Sequence, residues 1–468
     1  MKTSIILLFI VIVGFFLRGQ ELLSGNFLFL KDQGRDMLAV KSIVVDKKPT
    51  LIGPYTGLQA VFQGPLYYYL LALPFTLSGG DPWGIMLLLM ITSLASIIMG
   101  FLVGGIFTAF LFATSPALAA AATFFWSPFF VIPVMCGYIF FLFQWIRSGD
   151  KRSFLWLSVS LALLYHFELA FAVPWTAVTL ITCWYITKTH KVLWHPFLLL
   201  GMILVSISPL LAFDIRHDFL TSRSVIALFT GSTQGLASSL EPYDKIIRDH
   251  IISFVSNINA SFVQNSSVAG FLSLSLIIIG IWYVAHGKRT EIKTLFVMPL
   301  LLWLIYLIYP FQLYSWYLVG LFPVYLVLLG YGLSKNKVIA LGLVVVISIF
   351  TTQKLVKLYS STDSGGTAKI QGKVNALETI YQNAQGAPFN LLVFTPVVLT
   401  DAYDYLYWWK FGSFPSKGMS GLTYLLIEPD RSKPWSHEGW FETVVAGGDI
   451  IETETLPSGF IIQKRLYD

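Results

Sequence analysis

Three charged residues near the start of this chain have the types and spacing for group-transfer chemistry. They are Asp32, Arg35 and Asp36, within Leu30-Lys31-Asp32-Gln33-Gly34-Arg35-Asp36-Met37. If the segment is helical, the i, i+4 spacing puts both carboxylates on one face with Arg35 beside them. A carboxylate aimed at a cavity can act as a general base. It would take the proton of a hydroxyl whose oxygen attacks a carbon bearing a good leaving group. A guanidinium fork is well shaped to hold a phosphate. The same charges can also pair with one another in water for little net gain. Spacing alone leaves Asp32 and Asp36 as competing bases.

Other polar residues stand where a cavity could use them. Tyr55 and Gln63 lie further along the same loop, ahead of Gly64-Pro65-Leu66-Tyr67-Tyr68-Tyr69. His166 and Glu168 fall between two short apolar segments, and polar residues so placed often face a cavity rather than lipid. A His-Glu pair that only ties the turn together explains them as well. Asp214, Arg216, His217, Asp218 and Arg223 open a second polar loop. They fit either a solvated charge cluster or, through Arg216 and Arg223, a phosphate site. Tyr309, Gln312, Tyr314, Trp316 and Tyr317 cluster at a further boundary. There an aromatic belt competes with sugar or phosphate contact.

The elements that must position these residues are membrane helices. The chain has 468 residues, 56% of them hydrophobic and 12% charged, against about 25% charged in an average soluble domain. Its mean hydropathy is +0.71. Apolar runs predict eleven spans, at about 3–17, 65–79, 83–104, 125–146, 153–166, 169–187, 196–213, 269–285, 294–310, 316–333 and 338–354. Within 104–133, Ser115-Pro116 and Ser127-Pro128 interrupt the apolar run. That stretch fits a partial helix that returns to the outer face, or two further spans. No small-residue cleavage site follows the first apolar run, which is expected to be an uncleaved helix.

Lys and Arg set the orientation. Lys2, the Arg147/Lys151/Arg152 cluster, Lys188/Lys191, Lys288/Arg289/Lys293 and Lys335/Lys337 all fall between spans on one side. If that side is cytoplasmic, loops 18–63 and 214–268 and everything after about 355 face outward. The net charge of +6 is spread over these short clusters and is no nucleic-acid signature. Cys136 and Cys183 lie in apolar runs, so neither a disulfide framework nor a metal knuckle is indicated.

Two domains are expected. Residues 1–354 form a transmembrane domain. Residues 355–468 form a small outer α/β domain, with helices near 373–383 and 400–410, strands at 390–395 and 423–428, and a hairpin around 456–459. An amphipathic helix near 243–263 has Ile246, Ile247, His250, Ile251 and Phe254 at helical spacing.

Asp32-Gln33-Gly34-Arg35, followed some thirty residues later by Gly64-Pro65-Leu66-Tyr67, resembles the Asp-Glu-x-Arg and Pro-Pro-Leu elements of glycosyltransferase family 39. That family includes protein O-mannosyltransferases and bacterial lipid A aminoarabinose transferases. Gly34-Arg35-Asp36, Trp126-Ser127-Pro128-Phe129, Tyr165-His166-Phe167-Glu168 and the block from Phe213 to Phe219 resemble an uncharacterised bacterial subgroup. The resemblance covers roughly residues 1–330.

It implies the GT-C membrane fold, a polyprenyl-phosphate sugar donor, and an inverting transfer at the outer face of a bacterial cytoplasmic membrane. The acceptor would be a glycan, lipid or protein. Asp32 would be the base. Arg35, Arg216, Arg223 and Tyr55 would be the donor contacts. Gln63, His166, Glu168, Asp214, His217, Tyr314 and Tyr317 would be cavity residues.

The chain departs from the family at two places. Gln33 stands where a second carboxylate is frequent, and Gln63-Gly64 where a His often precedes the Pro. The first departure weakens the case for a metal. No cofactor is required, and a divalent cation stays open. The rival class is a non-catalytic lipid-linked sugar flippase or transporter, which should carry ionisable groups near the bilayer midplane.

Overall fold

The computed structural model describes residues 2–58, 60–190, 195–230, 242–360, 366–430, 432–433 and 435–468. Lys191, counted in the orientation argument, and residues 231–241 of the second loop lie outside them. In chain order the helices are α1 Lys2–Phe16, α2 Gln20–Ser24, α3 Lys31–Val44, α4 Leu66–Leu77, α5 Pro82–Gly104, α6 Ile106–Thr114 and α7 Pro116–Ala120. There follow α8 Val131–Ser148, α9 Lys151–Leu164, α10 Leu169–His190, α11 His195–Arg216, α12 Leu220–Thr230, α13 Tyr243–Ala260 and α14 Ser266–His286. The last are α15 Thr290–Leu307, α16 Leu321–Leu333, α17 Lys337–Ser360, α18 Ile370–Asn383, α19 Asp401–Phe411 and α20 Trp435–Thr443. The strands are β1 Asn390–Phe394, β2 Gly421–Ile427, β3 Asp449–Thr455 and β4 Ile461–Tyr467.

Each of the eleven apolar runs is a helix. Seven of them are long and apolar enough to cross a membrane, and α1, α4 and α16 are shorter apolar helices. The eleventh, α9, has 14 residues. The stretch 104–133 holds α6, with nine residues, and α7, with five. Neither reaches across a hydrocarbon core of about 30 Å at about 1.5 Å per residue, so two further spans are ruled out there. Pro116 at the first position of α7 ends one helix and starts the next.

The chain divides into two compact units. One comprises Met1–Gly19, Pro49–Leu70 and Leu88–Lys357. In it α8 packs on α9, α11 on α9, and α1 and α16 on α6. Arg18, expected to open an outer loop, is instead buried in this unit. Its guanidinium donates to the carbonyls of Phe112 (2.7 Å), Ala113 (2.7 Å) and Gly14 (3.0 Å), and its Nε to Ser93 Oγ (2.9 Å). Phe112 and Ala113 are in the last turn of α6, whose carbonyls have no helical partners, so Arg18 caps that end. Burial pulls its pKa down to about 10, which leaves it charged at neutral pH.

The second unit comprises Gln20–Lys48, Leu71–Leu87 and Leu358–Asp468. Its sheet has the order β1-β2-β4-β3. β1 and β2 run parallel, joined by α19 as the crossover, and β4 is antiparallel to both β2 and β3. Phe394, Leu425, Ile427 and Val445 form its core, covered by Trp440 and Phe441 of α20. All the elements expected after residue 370 are present. α20 was not expected.

The unit also takes in 20–48 and 71–87, which linear division assigns to the transmembrane domain. Backbone pairing explains the first of these. Phe29 N–H donates to Ala368 O (3.0 Å) and Ile370 N–H to Phe27 O (3.0 Å).

Candidate active site

In the second unit the segment after α2 becomes helical at Lys31. Gln33 Oε1 accepts the Leu30 N–H (3.0 Å), the N3-to-cap half of a capping box. Asp32 in the first turn complements the helix dipole. At the other end Lys41 pairs with Asp46 (2.8 Å) and lies over the rings of Trp408 and Phe414. α3 therefore docks on α19.

The docking is a close backbone approach at Gly34. A Cβ there would fall 2.2 Å from Ala402 N and 2.4 Å from Ala402 Cα. Only glycine fits, which explains the residue between the two acids.

Arg35 sits between those acids. Its Nη1 donates to Asp32 Oδ1 at 2.8 Å. Its Nε and Nη2 donate to Asp36 Oδ1 at 2.9 and 2.7 Å. The two carboxylates are not equivalent: the Asp32 side chain is 29% exposed and that of Asp36 0%. Asp36 is a buried anchor for the guanidinium, while Asp32 presents an accessible oxygen edge.

Sequence reasoning missed Asp401, the first residue of α19, whose carboxyl is pushed up chiefly by burial and then by Asp404, with Arg35 opposing. Its signal was the helix start after Thr400. Among the described residues no group of three or more His, Cys, Asp or Glu gathers to hold a metal ion.

In the first unit, residues 53–64 fold back on themselves. Gly53 N–H donates to Gln63 O, Gln63 N–H to Pro54 O and Thr56 N–H to Val61 O, each at 2.8 Å. Tyr55 bridges Phe62 and is half exposed. Gln63 is buried, and its Oε1 has no hydrogen-bond partner among the described residues. His166 packs against Gly64 so tightly that a Cβ there would fall 1.9 Å from its Nδ1. A neutral imidazole protonated at Nε2 satisfies the contacts around it. Leu66 N–H donates to Nδ1 (3.4 Å), Nε2–H donates to Ser206 Oγ (2.9 Å), and Ser206 donates to Ala162 O (2.7 Å). Burial pulls the His166 pKa down to about 4, against a backbone contact at Gly64 that raises it.

Glu168 is buried two residues on, and burial pushes its carboxyl up to about 8. The helices flanking His166 and Glu168 are not both short as expected, since α10 has 22 residues. Tyr314 and Tyr317 line a cleft of about 720 Å³ with Tyr309, Gln312 and His250. Tyr314 stacks on Trp316 at 4.5 Å. His250, read from the sequence as part of an amphipathic face, is buried with its ring nitrogens 2.9 Å from the carbonyls of Tyr306 and Phe311. It fixes the loop that carries the tyrosines.

Asp214 has a structural task. It accepts from Thr221 N–H (2.7 Å), Ser222 N–H (3.3 Å) and Ser222 Oγ (2.5 Å), and so caps the start of α12. His217 is exposed and stacks on Phe213 (4.0 Å). Arg216 and Arg223 are exposed and have no ion pair among the described residues. The structure thus joins Asp32, Arg35 and Asp36 in one unit. In the other it joins Tyr314 with Tyr317, and Gln63-Gly64 with His166.

No family model matches this sequence, and no curated protein sequence does. Solved structures do match. ArnT from Cupriavidus metallidurans aligns in its apo state with a TM-score of 0.64, and bound to undecaprenyl phosphate with 0.63. Each alignment has 11% identity and covers 98% of this chain and 97% of ArnT.

The chain has the GT-C fold of ArnT.

The ArnT match runs through both units, so the small sheet belongs to the shared fold rather than being an appendage to it.

Proposed function

We propose that this protein is an inverting glycosyltransferase related to family 39, and that it moves a sugar from a polyprenyl-phosphate donor to an acceptor hydroxyl at the outer face of a bacterial cytoplasmic membrane. The observation that carries this is the whole-length match to ArnT, one of whose structures is bound to undecaprenyl phosphate. Asp32 takes the acceptor proton as its oxygen attacks the anomeric carbon, in line with the departing phosphate. Its exposure favours it over Asp36, which orients Arg35. Arg35 stabilises the charge that grows on the leaving phosphate. Arg216, Arg223 and Tyr55 contribute to donor capture. Gln63, His166, Glu168, Tyr314 and Tyr317 contribute to the cavity.

The transporter alternative is disfavoured. In the eleven apolar helices, Asp, Glu, Lys and Arg keep to the ends or near them, whereas a carrier needs them at mid-depth.

The test uses the purified full chain in vesicles, with synthetic polyprenyl-phosphate hexoses and pentoses as donors and an envelope extract of glycans, lipids and proteins as acceptor, and reads release of polyprenyl phosphate. Release by wild type that falls about 10²–10⁴-fold in Asp32→Asn supports the assignment. Movement of intact donor across the bilayer without cleavage overturns it in favour of a carrier. Reporter fusions after Ser360 test the orientation. An exported reporter should be active there, and activity of a cytoplasmic one would reverse the site's side.

A further inference from the structure

A second cleft, of about 570 Å³, lies in the first unit where α14 ends and α15 begins, against the end of α16. Lys288, Arg289 and Lys335 line it, with no carboxylate among the lining residues. Arg289 and Lys335 both lie over the ring of Tyr331, each 5.2 Å from its centre. Two cations gathered at one aromatic ring repel each other. Among the described residues neither they nor Lys288 has an ion pair. The carboxylate nearest in the chain, Glu291, is held by Arg147 at 3.0 Å. The first turn of α15 adds backbone N–H groups that no side chain caps. The cleft is thus built for an anion that the protein itself does not supply.

The other wall is apolar. Ile278 and Trp282 line it and are 58% and 54% exposed. They belong to α14, which is long and apolar enough to span a membrane. A free phosphate would use the cations and leave this wall unused. A phosphate carrying acyl chains would use both.

We propose that this cleft is a binding site for an anionic phospholipid. The headgroup phosphate sits among Lys288, Arg289 and Lys335 over Tyr331, and an acyl chain lies along Ile278 and Trp282. Basic pockets between helix ends are suited to such headgroups. The site is separate from Asp32 and Arg35 in sequence and chemistry, and would anchor the α14–α15 turn to one leaflet.

The test is native mass spectrometry of delipidated full-length protein, titrated with phosphatidylglycerol or phosphatidylcholine. Wild type should retain phosphatidylglycerol at least about tenfold more tightly. Each basic side chain removed should cost roughly fivefold, so Lys288→Ala/Arg289→Ala/Lys335→Ala should bind the two lipids alike. Lys288→Arg/Lys335→Arg should keep the preference. Equal retention by wild type, or a preference that survives the triple alanine change, overturns the site. If inorganic phosphate displaces the lipid's effect at equal concentration, the occupant is a free anion and the lipid assignment falls. A further readout leaves the charges intact. Brominated-chain phosphatidylglycerol should quench part of the tryptophan fluorescence of wild type, and that part should vanish in Trp282→Phe. Unchanged quenching overturns the acyl-chain placement.

Discussion

Arg35 in one unit and Arg216 and Arg223 in the other are the cations proposed for the donor phosphate, and they are held in opposite ways. Arg35 is fixed between Asp32 and Asp36 by contacts of 2.7–2.9 Å and is largely buried. Arg216 and Arg223 are exposed and have no ion pair among the described residues. A clamped guanidinium needs no reorganisation when charge develops beside it. A free one loses side-chain entropy, up to about 2 kcal/mol, on binding. Under the proposed function the contrast separates two jobs that residue type alone cannot: stabilising a leaving group, and attracting an anion.

The largest expected effect tests the clamped side. Asp32→Asn should lower kcat by about 10²–10⁴-fold with normal membrane insertion and an unchanged melting temperature. Asp36→Asn should lower both stability and activity, because it frees Arg35. Full activity in Asp32→Asn, with loss in Asp36→Asn at wild-type stability, would exchange their roles.

Next comes the surface that holds the clamp. Gly34→Ala forces a methyl against the Ala402 backbone, a clash that typically costs about 1–3 kcal/mol. Thermal unfolding in detergent should show the loss, and an undiminished melting temperature would mean that α3 and α19 can part cheaply.

A smaller effect is expected on the open side. Arg216→Ala and Arg223→Ala should each raise the donor KM about two- to fivefold and leave kcat intact. The difference should shrink as salt rises from low to about 0.5 M. A fall in kcat instead would place these arginines at the reacting phosphate and erase the contrast.

The smallest effect concerns Glu168. Burial pushes its carboxyl up to about 8 in the folded protein, against an ordinary value of 4.5. The folded state therefore binds the extra proton between those values. The stability this gives is complete below about pH 4.5 and is lost as pH rises through 8. Glu168→Gln should gain a few degrees in melting temperature over wild type at pH 9, with about no difference at pH 5. Parallel curves for the two proteins would refute the buried-carboxyl account.

The legible parts of this molecule were those with a short-range signal. Apolar runs gave the eleven helices, Pro and Ser marked the break at α6 and α7, and i, i+3 and i, i+4 spacing gave the Asp32–Arg35–Asp36 cluster. What escaped depends on distant partners. Asp214 looked like a cavity acid because the N–H groups it caps arrive from Thr221 and Ser222, after a turn with positive φ at Asp218 and Phe219. Arg18 looked like a loop cation because its acceptors are some 95 residues away. The membership of 20–48 in the second unit rests on pairing with 368–370, which no local pattern reveals.

The pairing of Gly64 with His166 carries a consequence for how this protein can change. The imidazole occupies the space a side chain at position 64 would need. The two positions are therefore one unit of variation, although about a hundred residues separate them. In a library randomised at both, larger residues at 64 should survive only with smaller ones at 166. Position 64 varied alone should look intolerant for this steric reason.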